Sequence, residues 1–437
     1  MKRFSRSMLL FMLIAVMACT AALPNLKISA VQESQKLVVW DQETGPYGDL
    51  FDTINANFEK AHPGVKIERS RYTLDDLMNT LPLAMTQPDA PDVAQVNQGQ
   101  TSMGRLVKAG LLLPLDDYAK KYGWDKLFSE GLLARNRFTD QVEFGTGHLF
   151  GVSVSAEIVG VYWNKKIFKD NGVEVPKTFE DFESLLKTLK DKGVVPLAMA
   201  TSGNAIPGFH VFSTIQHLKV TRQWMDDFIF GRNNVSFDIP ENQEAAAIAQ
   251  NWAKAGYYTP GYEGINSDDL PKTFVPDKAA MMLSGNWYAA QVIEAGKPGD
   301  YGFFAVPGFG GKPGMTIGGP GIPFGISKSS KNPDLAAEYI NYLVSQEVAD
   351  QIASIGQLPA RAISKDVKID PLLKDMIDVY NDANARNAVG HYIDWAAPKL
   401  FEELGAGTQE LFAQRITPKE FTARMQKVYA DYLASRK

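Results

Sequence analysis

Short apolar runs alternate with segments of helical periodicity along the first part of this chain. Residues 37–40 predict a buried strand, and apolar side chains within residues 47–60 recur at the three- and four-residue spacing of a helix face. Residues 65–68 and 92–96 predict two further strands. This alternation favours an α/β fold, in which a mainly parallel sheet is flanked by helices.

A second unit of the same kind begins after residue 147. Its apolar runs predict strands at residues 149–155, 160–163 and 194–199. Thr178, with Asp181 three positions later, predicts the capped start of a helix. A chain of 437 residues is too long for one ordinary core, so we expect two lobes and a crossing of the chain near residues 147–151.

The N-terminus has the pattern of an export signal. Basic residues precede an apolar stretch at residues 8–17, which is shorter than the roughly 20 residues of a membrane span. We therefore predict a signal peptide at residues 1–22, a flexible tether at residues 23–35, and a mature protein that is periplasmic or on the cell surface.

Cys19 is the single cysteine of the chain and lies where the predicted signal ends. Residues 16–19 resemble the cleavage box of bacterial lipoproteins, in which cleavage before the cysteine leaves it lipidated. The alternative is ordinary cleavage after Ala22 or Ala30, which would discard Cys19. A lipid anchor on Cys19 is thus the one membrane contact that the sequence suggests.

Several classes of function are disfavoured by what the sequence lacks. The net charge of −5 and the absence of long basic runs argue against a nucleic-acid partner. There is no phosphate-binding loop, no nucleophile elbow and no pair of histidines at helical spacing, so we expect no cofactor and no metal. The main reading is a binding protein. A secreted glycosidase or lyase that uses two carboxylates, among Glu43, Glu157 and Asp394, stays an alternative.

Three predicted strand ends carry aromatic and amide side chains. Trp287 follows the apolar run at residues 281–283, with Gly285 and Asn286 just before it, and residues 40–43 and 97–99 follow two other strands. In open α/β sheets, ligands bind outside the carboxyl ends of the strands. An indole face suits the apolar face of a pyranose, and amides suit its hydroxyls, so these positions predict a sugar site.

Long stretches of the chain resemble one protein family. KLVVWDQETGP at residues 36–46, NANFEKAHPGVKIE at residues 55–68 and KAAMMLSGNWYAAQV at residues 278–292 occur in the order and spacing found in extracellular solute-binding proteins of the sugar type. These proteins are the receptors of ATP-driven (ABC) importers and are similar to maltose-binding proteins. The resemblance covers essentially all of residues 36–437.

The resemblance implies two α/β lobes that close over a ligand. The first lobe would comprise residues 36–148 with 306–345, and the second residues 149–305 with 346–437. A monomer would bind a sugar or oligosaccharide in the cleft and deliver it to the membrane permease subunits of an ABC importer. Because the chain has no ATPase motif, the energy would come from a separate subunit.

The resemblance also assigns candidate ligand-binding residues. Trp287 matches the stacking aromatic of the family, Trp395 a further aromatic on the second lobe, and Glu157 a position beside the hinge. Together with the strand-end residues, the predicted set is Gln42, Glu43, Tyr47, Asn97, Gln98, Glu157, Asn204, Phe209, Asn286, Trp287, Gly319, Pro320 and Trp395.

Other ligands and roles stay open at this point. An iron binder could use Tyr47 with Tyr162, and a polyamine binder would need more carboxylates than Glu43 and Glu157. A surface adhesin or a sensor could share the fold without transport. The aromatic and amide content favours the sugar.

Overall fold

The strands form two sheets and a short two-stranded ribbon within residues 35–436, the part of the chain that this computed structural model describes. The predicted signal peptide, Cys19 and nearly all of the predicted tether lie outside the described residues. The strands are β1 (Gln35–Asp41), β2 (Val65–Arg71), β3 (Val93–Gln95), β4 (Arg137–Phe138), β5 (His148–Leu149), β6 (Ala156–Asn164), β7 (Leu197–Ala198), β8 (Met281–Gly285), β9 (Tyr301–Phe304), β10 (Thr316–Pro320), β11 (Phe324–Ile326) and β12 (Val389–Gly390).

Helices cover both sheets. They are α1 (Gly45–Ala61), α2 (Leu74–Ala84), α3 (Met103–Lys108), α4 (Asp116–Tyr122), α5 (Glu130–Leu133), α6 (Lys165–Asn171), α7 (Phe179–Asp191), α8 (Ile206–His217), α9 (Arg222–Ile229), α10 (Pro240–Lys254), α11 (Ala289–Glu294), α12 (Pro333–Leu343), α13 (Gln346–Ser354), α14 (Pro371–Ala385), α15 (Leu400–Phe412) and α16 (Pro418–Ser435). In the described residues, no helix is both long and apolar enough to cross a bilayer.

The first sheet has the strand order β11-β3-β1-β2. Leu37 and Val39 of β1 are fully buried, which confirms the predicted buried strand. β1 and β3 are parallel, and β11, which arrives from late in the chain, is antiparallel to β3. Helices α1, α12 and α13 pack against this sheet and share its apolar core.

The second sheet is mixed rather than mainly parallel, so that part of the prediction is wrong. Its order is β12-β10-β6-β8-β7, with β9 also paired to β6. The long central strand β6 is antiparallel to β8, β9 and β10, and β7–β8 and β10–β12 are parallel. Apolar periodicity identifies strands but not their direction, which depends here on partners more than 100 positions away.

Local signals in the second lobe are a mixture of confirmed and corrected predictions. The capping box of α7 is present: Asp181 N–H donates to Thr178 Oγ1 (3.0 Å) and Thr178 N–H donates to Asp181 Oδ2 (3.2 Å). The strand predicted at residues 160–163 is longer than expected, since β6 begins at Ala156. Of the strand predicted at residues 149–155, only Leu149 lies in a strand (β5), while Val152 and Ser155 form isolated bridges to Phe324 and Pro359.

Sheet membership bears on the lobe limits, which stay a prediction. β10 belongs to the second sheet and β11 to the first. Val348 and Ile352 of α13 lie in the core of the first sheet. We therefore propose that the chain returns to the first lobe between Pro320 and Phe324 and leaves it after α13.

Candidate ligand-binding site

A cavity of about 380 Å³ is lined by residues from both sheets. This volume lies within the range of pockets that hold small molecules. All of the predicted ligand-binding residues except two line it, and they are Gln42, Glu43, Tyr47, Asn97, Gln98, Glu157, Asn204, Phe209, Asn286, Trp287 and Trp395. The structure thus brings together residues that are up to 353 positions apart in the chain.

Gly319 and Pro320 do not line the cavity. Gly319 has a φ of +139°, and a Cβ at this position would overlap the guanidinium of the fully buried Arg135. Arg135 donates hydrogen bonds to the carbonyls of Gly318 and Val389. The glycine is needed here because β10 and Arg135 approach so closely. The carbonyl of Pro320 accepts from Nε2 of Gln98, so this segment holds a lining residue in place.

Trp287 lies at the end of β8, at the start of a short 3-10 helix (Asn286–Tyr288). Its indole folds back over Gly285, where a Cβ would overlap the ring. Gln357 Nε2 donates to the backbone carbonyl of Trp287 (3.0 Å), which holds the turn in place. The side chain is half-buried, so the ring is packed on the strand end and retains surface to offer to a ligand.

The amide of Asn286 is engaged by the protein itself. Its Oδ1 accepts from the backbone N–H of Ile158 (2.8 Å), and its Nδ2 donates to the carbonyl of Ala156 (3.2 Å). The sequence predicts that Asn286 offers its amide to the ligand. In the structure the amide instead extends the pairing of β6 at the strand end.

Glu43 and Gln42 are positioned by Gln95, a buried residue of β3. Gln95 Oε1 accepts from the backbone N–H of Gln42 (2.9 Å), and its Nε2 donates to Glu43 Oε1 (2.7 Å). Burial raises the pKa of Glu43 to about 8, and the nearby charges of Asp41 and Glu157 act in the same direction. Near neutral pH this carboxyl is therefore largely protonated in the empty cavity.

A buried ion pair holds the loop that carries Glu43. Arg69 Nε donates to Asp41 Oδ2 (2.6 Å) and Arg69 Nη2 donates to Asp41 Oδ1 (2.6 Å). Its Nη1 donates to the carbonyl of Gly48 at the start of α1 (2.6 Å) and to Asp52 (2.7 Å). A bidentate pair of this kind fixes both the position and the orientation of the loop.

Glu157 and Asp394 are two further carboxyl groups in the cavity. Tyr392 Oη donates to Glu157 Oε2 (2.9 Å), and burial raises the pKa of Glu157 to about 7. Burial also raises the pKa of Asp394 to about 7, with a contribution from the charge of Glu402. These groups change protonation near physiological pH, so a polar or charged ligand can alter their state.

Trp395 differs from Trp287 in its exposure. It is 2% exposed, and its ring packs against Tyr392 at 5.1 Å between centroids. Its carbonyl accepts from the backbone N–H of Gln100 (2.8 Å), and Thr101 Oγ1 donates to the carbonyl of Asp394 (2.6 Å). Trp395 therefore joins the loop after β3 to the 3-10 segment Ile393–Ala396 and presents little free ring surface.

Comparison with known families identifies the group to which the chain belongs. The family description "bacterial extracellular solute-binding protein" matches residues 41–350. The chain is a member of this family.

Relatives and solved structures agree with the membership. The chain is similar to the multiple sugar-binding protein of Streptococcus mutans (21% identity over 78% of each chain). A solved structure from work on xylan utilization by Caldanaerobius polysaccharolyticus has a TM-score of 0.79 and 27% identity, covering 90% of this chain and 99% of the other. A chitin oligosaccharide binding protein has a TM-score of 0.79 and 26% identity, covering 92% and 100%.

Several residues of this solute-binding protein's cavity are absent from the set predicted from the sequence. His210, which the sequence suggests is an ordinary packing residue, lines the cavity, and its ring centroid is 5.7 Å from that of Trp287. Burial, with a further contribution from His217, lowers the pKa of His210 to about 3, so it is neutral. Tyr288, Gln357 and Tyr392 also line the cavity.

Two buried polar atoms in the cavity lining have no hydrogen-bond partner among the described residues: Tyr47 Oη and His210 Nδ1. Tyr47 is on α1 and His210 is on α8, so they come from the two lobes. A buried polar group without a partner is unfavourable by roughly 1–3 kcal/mol. No group of acidic, histidine or cysteine side chains among the described residues is arranged to hold a metal ion.

Proposed function

We propose that this solute-binding protein is a receptor for a sugar or oligosaccharide, which it holds in the cavity between the lobes. The observation that carries the proposal is the composition of the lining. The half-buried indole of Trp287 and the rings of Tyr288 and Phe209 lie in one cavity with the amides of Gln42 and Asn97. An indole face stacks on the C–H face of a pyranose, and amides bond to its hydroxyls.

Tyr47 and His210 support the same ligand class. Each contributes a buried polar atom without a partner in the described part of the chain. A sugar hydroxyl can both donate and accept, so it can satisfy a phenol and an imidazole nitrogen alike. Because the two residues belong to different lobes, a ligand that bonds to both favours a closed arrangement.

The names of related proteins point in the same direction. One relative is a multiple sugar-binding protein and one structural neighbour is a chitin oligosaccharide binding protein. Both are binding proteins rather than enzymes. We infer a binding role for this chain too. The composition of its cavity lining is our reason for proposing a sugar as its ligand.

The remaining parts of the proposal concern delivery. We propose that the signal at residues 1–22 exports the chain, that Cys19 carries a lipid anchor, and that the monomer delivers its ligand to the permease subunits of an ABC importer. The lipid would place the receptor at the membrane surface where the permease lies. Mass spectrometry of the N-terminus after expression in a bacterial host tests the anchor directly.

Calorimetry and thermal shift of the mature domain against mono- and oligosaccharides test the binding function. A true ligand must raise the melting temperature, since it binds only the folded state. The response should be strongly reduced in Trp287→Ala and kept in Trp224→Phe, a substitution of a half-buried tryptophan outside the cavity. Iron and spermidine belong in the panel, because binding of either in place of every sugar would overturn the proposal. Release of shorter products from an oligosaccharide would favour the alternative of a glycosidase or lyase.

A further inference from the structure

The charge of the cavity lining is one-sided. Glu43, Glu157, Asp268 and Asp394 line it, and in the part of the chain that the structure describes none of the lining residues is a lysine or an arginine. His210 does not compensate, because burial lowers its pKa to about 3 and keeps it neutral. A ligand carboxylate or phosphate would therefore meet acidic groups and no cationic partner.

The two arginines nearest to these carboxyls are occupied elsewhere. Arg69 forms ion pairs with Asp41 and Asp52, and it donates to the carbonyl of Glu43 (3.3 Å) rather than to its carboxylate. Arg135 donates to the backbone carbonyls of Gly318 and Val389. Among the described residues, neither guanidinium forms an ion pair with Glu43 or Glu157.

Glu43, in the loop after β1, and Glu157, on β6, line the same cavity. The charge of Glu157 contributes to the raised pKa of Glu43, which burial takes to about 8. Both carboxyls also raise the pKa of Tyr47, after the larger effect of burial. The Tyr47 hydroxyl is buried, lines the cavity and has no partner among the described residues. It therefore offers an acceptor to a polar ligand group in the cavity that Glu43 and Glu157 also line.

We propose that the bound sugar carries a protonated amine, which lies between Glu43 and Glu157, and that the cavity excludes acidic sugars. This inference rests on the proposed sugar-binding function and narrows its ligand class. An ammonium group has three donors and no acceptor, so it can bond to one carboxylate from each lobe and to the Tyr47 oxygen. Gln95 and Tyr392 already donate to one oxygen of Glu43 and of Glu157, so the ammonium would bond to the other oxygen of each carboxylate and to Tyr47 Oη.

The competing ligand class is a neutral sugar. Protonated carboxyls can bond to hydroxyls, and such a ligand would make no demand on the charge of Glu43 or Glu157. The amine is favoured because the described lining offers carboxyl groups from both lobes and no cation.

Titration calorimetry at pH 7 with matched sugars tests the inference on the wild-type protein. The probes are glucosamine, N-acetylglucosamine, glucose and glucuronic acid, the galactose counterparts of each, and their β-1,4-linked dimers. We expect the amine form of a series to bind at least roughly tenfold more tightly than the acetylated and unsubstituted forms, as charge-assisted hydrogen bonds predict. The uronic acid should show no binding.

Isosteric variants locate the amine. Glu43→Gln and Glu157→Gln should each reduce the ratio of the amine-form affinity to the neutral-form affinity by roughly tenfold or more. Asp117→Asn is the control, since Asp117 is fully exposed and does not line the cavity. Circular dichroism shows whether each variant is folded, and the wild-type series decides the inference without them.

The outcomes separate this inference from the function on which it rests. If an acetylated or unsubstituted sugar binds as tightly as its amine, the inference is wrong and the sugar-binding function stands. If a uronic acid binds, the inference is wrong as well. If no sugar binds and spermidine does, both are overturned.

Discussion

The two walls of the cavity are built from different kinds of side chain. The first wall, formed by residues of the first lobe, is mainly polar: Gln42, Glu43, Thr44, Tyr47, Thr73, Asn97 and Gln98. The second wall, formed by residues of the second lobe, holds most of the rings: Phe209, His210, Trp287, Tyr288, Tyr392, Trp395 and Phe401. The first wall is suited to distinguishing hydroxyl positions, and the second to holding an apolar face. A ligand needs both for full affinity.

The walls also differ in what holds them in place. The first wall depends on polar links, namely the Asp41–Arg69 ion pair and the amide of Gln95. The second wall depends on ring packing and backbone contacts, such as the Phe209–Phe401 edge contact at 5.8 Å between centroids. Substitutions of the polar groups that hold the first wall should therefore act mainly on stability. Substitutions of the half-buried rings of the second wall should act mainly on affinity.

The largest effect is expected from the ion pair behind the first wall. Asp41→Ala should lower the free energy of unfolding by about 3–5 kcal/mol, because it leaves the Arg69 guanidinium buried without its main partner. Urea unfolding measures the change. Glu68→Ala is the matched control: its pair with Lys36 joins the same two strands but is exposed, so the change should stay below about 1 kcal/mol. Equal losses of stability in Asp41→Ala and Glu68→Ala would show that the buried ion pair does not hold the first wall.

Trp287→Ala tests the second wall. It should weaken ligand binding by about 2 kcal/mol, roughly 30-fold, through loss of the stacking surface. In contrast, Trp395→Ala should act first on unfolding, because that ring is 2% exposed and its removal leaves a cavity. Calorimetry and urea unfolding of both variants compare the two roles. If Trp287→Ala leaves the affinity unchanged, Trp287 does not stack on the ligand and the proposed difference between the two tryptophans is wrong.

Gly285→Ala should give a smaller loss of affinity, about 1 kcal/mol, without any loss of ring surface. The backbone of Gly285 accepts an alanine (φ −80°), but the added Cβ would overlap the indole of Trp287 and displace it. Gly264→Ala is the control, since a Cβ there meets nothing within 4 Å. Tryptophan fluorescence of the ligand-free variant should report the displaced ring. An unchanged affinity would show that the ring tolerates the shift.

The smallest effect is a decline in stability between pH 7 and 8.5 in the ligand-free protein. Burial raises the pKa of Glu43 from 4.5 to about 8, so over this range the folded state holds a proton that the unfolded chain has lost. Stability then falls as pH rises through 8. Buried His210, His217 and His391 have lowered pKa values and affect stability only below about pH 6.5.

Urea unfolding at the two pH values checks this decline, to which Glu43 should contribute about 1 kcal/mol, and Glu157 and Asp394, whose pKa values are raised to about 7, a smaller part. Glu43→Gln should reduce the decline, and the exposed Glu68→Gln should not. If stability falls as much with pH in the Glu43→Gln protein as in the wild type, another group causes the decline. Glu43 would then not be a protonated carboxyl of the first wall.

Strand ends were the part of the site most accessible to sequence reasoning. The polar residues after β1 and β3 and the tryptophan after β8 do line one cavity, because each strand end is marked locally by an apolar run that stops at polar residues. Their role in binding stays a prediction. His210 carried no such mark: it lies within α8, and only the packing of that helix beside Trp287 brings it to the cavity.

Asn286 and Gly319 are predicted ligand contacts whose surroundings the sequence does not reveal. Both have the chemistry or the place expected of a ligand contact, but neighbours distant in the chain claim them: the amide of Asn286 bonds to β6, and Gly319 lies against Arg135. A residue's own sequence context cannot show whether another part of the protein has already used its hydrogen-bonding groups or its space.

The sequence by itself determined the alternation of strands and helices, the division into two units and the residues that stand at the strand ends, because periodicity and turn chemistry act over a few positions. Tertiary structure alone decided that β6 is antiparallel to three neighbours and that Glu43 and Glu157 lie in one cavity. It also decided that Trp287 keeps free surface while Trp395 is buried. These features depend on contacts between residues that are distant in the chain, whose burial and pairing are set only when the lobes pack.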